Sequence, residues 1–142
     1  MRAPAAASLA ADLRVALMRT ARRLRAEKSD AELSDGQYSV LAVLDRHGAL
    51  SPGDLAEHEG VQPPSMTRTV AALAERGLVT RTAHPADRRQ IVVTLTDKGR
   101  ESVRETRRRR DAWLARRLAE LEPQERAVLA RAAEILRRIS ES

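Results

Sequence analysis

Apolar residues recur at helical spacing at both ends of the chain. A helix is predicted over residues 8–28, and two more are predicted over residues 97–121 and from Pro123 onward. Their apolar stripes are broader than one packing contact needs, so we expect both ends to form a shared subunit interface. The first stripe consists of Leu9, Leu13, Leu17 and Leu24, and the last consists of Val128, Leu129, Ala132, Ile135, Leu136 and Ile139.

Capping signals mark two short helices in the middle of the chain. Ser34 and Gln37 have the spacing of a capping box, and Gly48 ends the helix that follows. Ser51, with Pro52 in the next position, begins the second short helix. A glycine-containing turn then leads directly into a further helix, which is the arrangement of a helix-turn-helix unit.

The helix after that turn has two unlike faces. Because a proline disfavours helical conformation in the residue before it, Pro63 is expected outside the helix and Pro64 in its first turn, with Gly77 ending it. Met66, Val70 and Leu73 form the apolar face. The opposite face is small and polar, so it can enter a major groove about 12 Å wide. The alternative interpretation is an outer face that contacts only solvent. That face consists of Pro64, Ser65, Arg68, Ala72 and Glu75.

The period of the pattern then changes from helical to alternating. Residues 78–83 and 91–95 are rich in β-branched side chains and predict the two strands of a hairpin. The polar connection between them carries Arg88 and Arg89 at its tip. Next to a candidate recognition helix, the hairpin is interpreted as a wing whose arginines lie against phosphates or enter a narrow minor groove. A solvated hairpin tip is the alternative interpretation.

Composition limits the class of protein. A chain of 142 residues suits one domain with its own core, which must be aliphatic because Tyr38 and Trp113 are its only tyrosine and tryptophan and it has no phenylalanine. The net charge of +6 favours a polyanionic partner, although arginine-rich composition also arises from codon bias. No uncharged segment approaches the roughly 20 residues of a membrane span. We therefore expect no membrane association and a cytoplasmic protein.

Few residues suggest reactive chemistry. The absence of cysteine excludes disulfides, thiol switches and cysteine-based zinc sites. His47, His58 and His84 are dispersed, so we interpret each as hydrogen-bonded or solvated and expect no metal and no cofactor. The arginine run at residues 107–110 extends around more than one helical turn and is interpreted as mainly solvated. No nucleophile motif, phosphate-binding loop or His-x-x-x-His pair supports an enzyme, so we expect none.

Two motifs carry a resemblance to a known family. The first is Asp87-Arg88-Arg89 followed by residues 93–96, Val-Thr-Leu-Thr, and the second is residues 73–79, Leu-Ala-Glu-Arg-Gly-Leu-Val. With the order of elements, they make the chain resemble the MarR family of winged helix-turn-helix regulators over essentially its whole length. The resemblance implies a mainly α fold with a small β-hairpin wing and a single domain, 1–142. Within it, residues 34–96 would bind DNA and residues 1–30 and 97–142 would form dimerisation helices.

The resemblance also implies roles for individual residues. A homodimer would place one recognition helix per subunit in the major groove of double-stranded DNA, on a pseudo-palindromic operator. By motif position, Arg89 would enter the minor groove, Asp87 would hold that arginine in place, and Arg88 would be left for a phosphate. The recognition-helix contacts would be Pro64, Ser65, Thr67 and Arg68.

The resulting expectation is a sequence-specific transcriptional regulator, acting as a repressor. Family members often respond to small anionic or phenolic molecules in a cleft between the dimer helices and the winged region, which implies a small-molecule effector here. The alternative is a basic architectural protein that coats DNA without sequence preference, since it accounts equally well for the charge.

Overall fold

The computed structural model describes residues 2–30 and 32–142, and it is mainly helical with one two-stranded antiparallel sheet, as the sequence predicts. None of the helices in these two ranges is both long and apolar enough to cross a bilayer. In chain order the elements are α1 (Ala6–Arg25), α2 (Asp35–His47), α3 (Pro52–Glu59), α4 (Pro63–Glu75), β1 (Val79–Ala83), β2 (Ile91–Leu95), α5 (Asp97–Ala119) and α6 (Pro123–Ser140).

The hydrophobic core lies in the winged lobe, which α2, α3, α4, the hairpin and the first turns of α5 enclose. Every buried apolar residue among the described residues comes from the part of the chain between Leu33 and Val103. Leu41, Leu55, Leu73 and Val93 lie at its centre and are fully buried. The core therefore belongs to the lobe, whereas α1 and α6 bury no residue within one chain.

Side-chain caps begin the short helices, as predicted. The Ser34 hydroxyl accepts from the backbone N–H of Gln37, and the Gln37 side chain accepts from the backbone N–H of Ser34. Ser51 caps α3 by accepting from the N–H of Asp54. Each cap pairs a backbone group that the first helical turn leaves without a partner.

The start of α4 differs from the prediction by one residue. The helix begins at Pro63, with Gln62 as its extended N-cap, so both prolines lie in the first turn and Pro63 is not outside the helix. Proline has no backbone N–H. In the first turn this costs no hydrogen bond, because the first helical N–H groups have no partner inside the helix. Gly77 ends the helix with a φ of +73°, as expected of a left-handed glycine.

The hairpin is tied to the start of α3 by an interaction that the sequence did not predict. β1 and β2 pair with Val79 opposite Leu95 and Ala83 opposite Ile91. On the other side of β2, Leu50 forms an isolated bridge with Val93, in which the two backbone N–H···O distances are 3.1 and 2.8 Å. The wing is therefore continuous with the connection between α2 and α3.

The first turn of α5 is held against the end of α4. Thr96, the N-cap of α5, donates from its hydroxyl to the carbonyl of Gly77 at 2.6 Å and from its N–H to the carbonyl of Leu78 at 3.1 Å. Lys98 Nζ donates to the carbonyl of Arg76 at 2.7 Å. Gly99 is buried so close to Leu78 that a β carbon would overlap the Leu78 carbonyl oxygen. We call this contact the α4–α5 joint.

Residues after α1 also bond to α5. The backbone N–H of Ser29 donates to the buried Thr106 hydroxyl at 3.1 Å, and Arg110 donates to the carbonyl of Glu27 at 3.3 Å. These bonds hold residues 27–29 outside the helix, which ends at Arg25 and not at the predicted residue 28.

Replacing Gly99 by alanine tests the α4–α5 joint. We expect Gly99→Ala to lower the free energy of unfolding by about 1–3 kcal/mol, because the new methyl group displaces either α5 or the Leu78 backbone. Urea or thermal unfolding measures the change. Gly36→Ala is the matched control, since a β carbon there meets nothing closer than the Ser34 hydroxyl at 4.0 Å. Equal stability of the two variants would contradict the close approach.

Candidate nucleic-acid interface

The first turn of α4 presents a small exposed surface. Pro63, Pro64, Thr67 and Arg68 are exposed, and Ser65 is half-buried among them. No acidic residue lies in this turn, so the partial positive charge of the helix N-terminus is not offset there by a carboxylate of the same turn. A backbone of this shape and charge can approach a phosphate or a base edge closely.

Hydrogen bonds order the polar side chains of this turn. Arg68 Nη2 donates to the Ser65 hydroxyl at 3.3 Å, which holds the guanidinium toward the N-terminal end of the helix. Thr67 donates from its hydroxyl to the carbonyl of Pro63 at 3.1 Å. The structure therefore brings Pro64, Ser65, Thr67 and Arg68, the candidate contacts of the recognition helix, together on one exposed turn.

The opposite face of α4 fixes which side points outward. Met66, Val70 and Leu73 are buried in the core of the lobe. At the C-terminal end of α4, the guanidinium of Arg76 forms an ion pair with Asp30, which lies between α1 and α2. This ion pair could not be predicted from local patterns, because its partners lie 46 positions apart.

The tip of the wing carries Arg88 and Arg89, and both are exposed. Among the described residues, neither guanidinium takes part in a salt bridge within the chain, since the arginine ion pairs lie elsewhere. Asp87 lies beside them, and its Oδ1 accepts from the backbone N–H of Arg89 at 3.0 Å. The carboxylate thus shapes the backbone of the tip, whereas the family resemblance implied that it holds Arg89 in place.

The arginine run of α5 forms ion pairs with acidic residues of the same chain. Arg107 pairs with Asp45, Arg108 with Glu101 and Glu105, and Arg109 with Glu105 as well. Hydrogen bonds from Arg108 and then Arg109 hold the pKa of the Glu105 carboxyl below its ordinary value. Arg107, Arg108 and Arg109 are nevertheless exposed, so the run is mainly a solvated face, as predicted, whose charges are paired within the chain.

The three histidines do not assemble a metal site. In the described ranges, 2–30 and 32–142, no group of three or more histidine or acidic side chains is arranged to hold a metal ion. The rings of His47 and His58 are in contact, with their centroids 4.7 Å apart and their planes tilted by 32°, and they join the ends of α2 and α3. His84 lies at the base of the wing tip, where its Nδ1 accepts a backbone N–H.

A small cleft separates the winged lobe from the helices at its ends. Its volume is about 160 Å³, and it lies between α1, α2 and α5. Arg110 reaches it with its guanidinium 4.4 Å above the ring centroid of Tyr38. The cleft is lined by Arg25, Asp35, Tyr38, Ser39, Ala42 and Arg110.

The sequence is similar to those of known transcriptional regulators. Residues 33–91 match the MarR family model. An uncharacterized HTH-type transcriptional regulator from Mycobacterium bovis is 46% identical over 130 residues, which cover 92% of this chain and 91% of the relative. The HTH-type transcriptional repressor MdtR from Bacillus subtilis is 31% identical over 121 residues, covering 82% of this chain and 78% of MdtR.

Solved structures share the fold over almost the whole chain. The crystal structure of Rv1404 from Mycobacterium tuberculosis has a TM-score of 0.86 and 28% identity, covering 99% of this chain and 97% of that one. BpsR from Bordetella bronchiseptica has a TM-score of 0.67 and 27% identity, and the coverage is 99% of both chains. The DNA binding of BpsR is regulated by 6-hydroxynicotinic acid.

Proposed function

The chain belongs to the MarR family and is a helix-turn-helix transcriptional regulator, and we propose that it acts as a homodimer on a pseudo-palindromic operator in double-stranded DNA. In this proposal, α4 of each subunit enters the major groove and the wing reaches the adjacent minor groove. The observation that carries the proposal is the common exposure of the α4 first turn and the arginine-tipped wing, neither of which is covered by the rest of the chain.

The end helices support a dimer. Met18 on α1 and Val128 and Ile139 on α6 are 60%, 67% and 59% exposed, although their residue types favour burial. Exposed apolar surface of this extent on two helices marks an interaction site. A second copy related by a two-fold axis covers both helices and duplicates the DNA-binding lobe, as a palindromic site requires.

Repression is the mode of regulation that we propose. A dimer bound over a promoter excludes RNA polymerase from the same DNA, so occupancy alone is sufficient to lower transcription. The relative MdtR is named as a repressor, which supports the same mode. Measuring transcription in vitro from a promoter that contains the operator tests it, and activation by the added protein would contradict it.

An effector of the small aromatic acid class is proposed for the cleft between α1, α2 and α5. Arg25 and Arg110 supply positive charge for a carboxylate. The regulation of BpsR by 6-hydroxynicotinic acid supports this class.

Titrating the DNA complex with 6-hydroxynicotinic and salicylic acids tests the effector site. We expect at least one of them to release the operator from the wild-type protein but not from Arg110→Gln, because that variant lacks the charge that would pair with the carboxylate. Release of the same extent from both proteins, or from neither, would contradict the proposed cleft.

Replacing Arg89 of the wing by alanine tests the DNA-binding mode. Arg89→Ala should weaken binding by roughly 1–3 kcal/mol, measured by fluorescence anisotropy on the duplex that the wild type selects from a randomised library. Arg104→Ala, which removes an exposed arginine on α5, is the control and should bind like the wild type. Unchanged affinity of Arg89→Ala would remove the wing from the mechanism.

The alternative function is a DNA-coating protein without sequence preference, which accounts equally well for the net charge of +6. Competition at fixed salt between the selected duplex and a random duplex distinguishes the two functions. A regulator prefers the selected duplex by orders of magnitude, whereas a coating protein binds both equally because counterion release does not depend on sequence.

A charge placed on α6 tests the dimer. We expect Leu129→Asp to be monomeric in sedimentation velocity and to lose operator binding, while its winged lobe stays folded because α6 contributes nothing to that core. Ile91→Asp, at an exposed apolar position on the wing, should remain dimeric. A dimeric Leu129→Asp variant would show that α6 does not form the interface.

A further inference from the structure

The tip of the wing is shaped by two side chains in the same way. Asp87 Oδ1 accepts from the backbone N–H of Arg89, two residues later, at 3.0 Å. His84 Nδ1 likewise accepts from the backbone N–H of Ala86, two residues later and also at 3.0 Å. Both are Asx-type turns, in which a side-chain acceptor replaces a backbone carbonyl. The histidine therefore plays the part of an aspartate or asparagine.

Packing does little to shape this tip. Every residue from Pro85 to Ile91 is exposed, and the tip stands beside an open cavity of about 500 Å³ between the wing and the start of α3. Two backbone hydrogen bonds close the loop, from His84 N–H to Gln90 at 2.8 Å and from Gln90 N–H to Asp87 at 3.0 Å. The conformation that carries Arg88 and Arg89 is therefore set by a few hydrogen bonds.

We propose that His84 is a positioning residue of the wing, which fixes the backbone on which Arg88 and Arg89 are presented to the minor groove. The proposal rests on the DNA-binding function proposed above. His84 acts through the N–H of Ala86, which donates to its Nδ1. Without that bond, the tip samples more conformations, and ordering them on docking opposes binding.

The bond requires one chemical form of the imidazole. An Nδ1 that accepts a hydrogen bond is unprotonated, so neutral His84 must carry its proton on Nε2. The position of the acceptor also decides which replacements retain the bond. Asn Oδ1 lies, like His Nδ1, one bond beyond Cγ, whereas the amide oxygen of Gln lies where His Nε2 does. We therefore expect His84→Asn to keep the turn and His84→Gln to lose it.

Nitrogen NMR of the wild-type protein tests the hydrogen bond without DNA. At pH 8, the expected spectrum shows His84 as the Nε2–H tautomer, with an unprotonated Nδ1. The Nδ1–H tautomer would overturn the proposal, and this result does not depend on whether the protein binds an operator.

Operator affinity of four variants tests the positioning role. We expect His84→Ala and His84→Gln to bind roughly 3- to 10-fold more weakly, the range that corresponds to one hydrogen bond, and His84→Asn to bind within about 2-fold of the wild type. Arg104→Ala, which removes an exposed side chain from α5, is the fourth variant and should bind like the wild type. Equal affinity of the Asn and Gln variants would overturn the proposal, whether both bind tightly or both bind weakly.

A double-mutant cycle separates positioning from a merely structural role. In a background in which Arg88 and Arg89 are both alanine, His84→Ala should have no further effect on affinity, because there are no wing arginines left to position. An undiminished effect in that background would overturn the proposal. If the double-alanine background alone binds like the wild type, the wing contact of the proposed function fails instead.

Discussion

The α4–α5 joint is the contact on which the arrangement of the molecule depends. At this joint, the chain leaves the recognition helix at Gly77, passes through the wing and returns at Thr96, whose hydroxyl and N–H bond to Gly77 and Leu78. Because Gly99 has no β carbon, α5 packs directly against the backbone of Leu78. Because α5 packs against α1 and leads into α6, the joint connects the recognition helix and wing to both of these helices.

A second set of contacts fixes the other side of the recognition helix. The ion pair of Arg76 with Asp30 joins the end of α4 to the segment after α1, and Ser29 in that segment bonds to Thr106 of α5. These polar contacts connect α4 to the segment after α1, one of the two helices of the proposed subunit interface. The proposed effector cleft lies beside this segment, between α1, α2 and α5. In the proposed dimer, a molecule bound there would change the spacing of the two α4 helices.

Local signals made most of the fold predictable. The Ser34–Gln37 capping box, the Ser51 cap and the Gly77 stop each depend on residues within a few positions, so the sequence contains them directly. The interaction of Leu50 with Val93 was not predictable in this way, because it joins segments that only the fold brings together. The exposed turn with Ser65 and Arg68 was predicted from helical spacing, whereas the turn made by His84 was missed because histidine is not a usual residue for it.

Hydroxyl-radical footprinting on the DNA that flanks the protein's own gene tests the central claim most directly. The account holds that two identical subunits present their recognition helices and wings on a common side of the molecule. The expected footprint is two-fold symmetric, with half-sites about one helical turn, or roughly 10 base pairs, apart and a protected minor groove beyond each. A continuous, asymmetric footprint that lengthens as protein is added would contradict it.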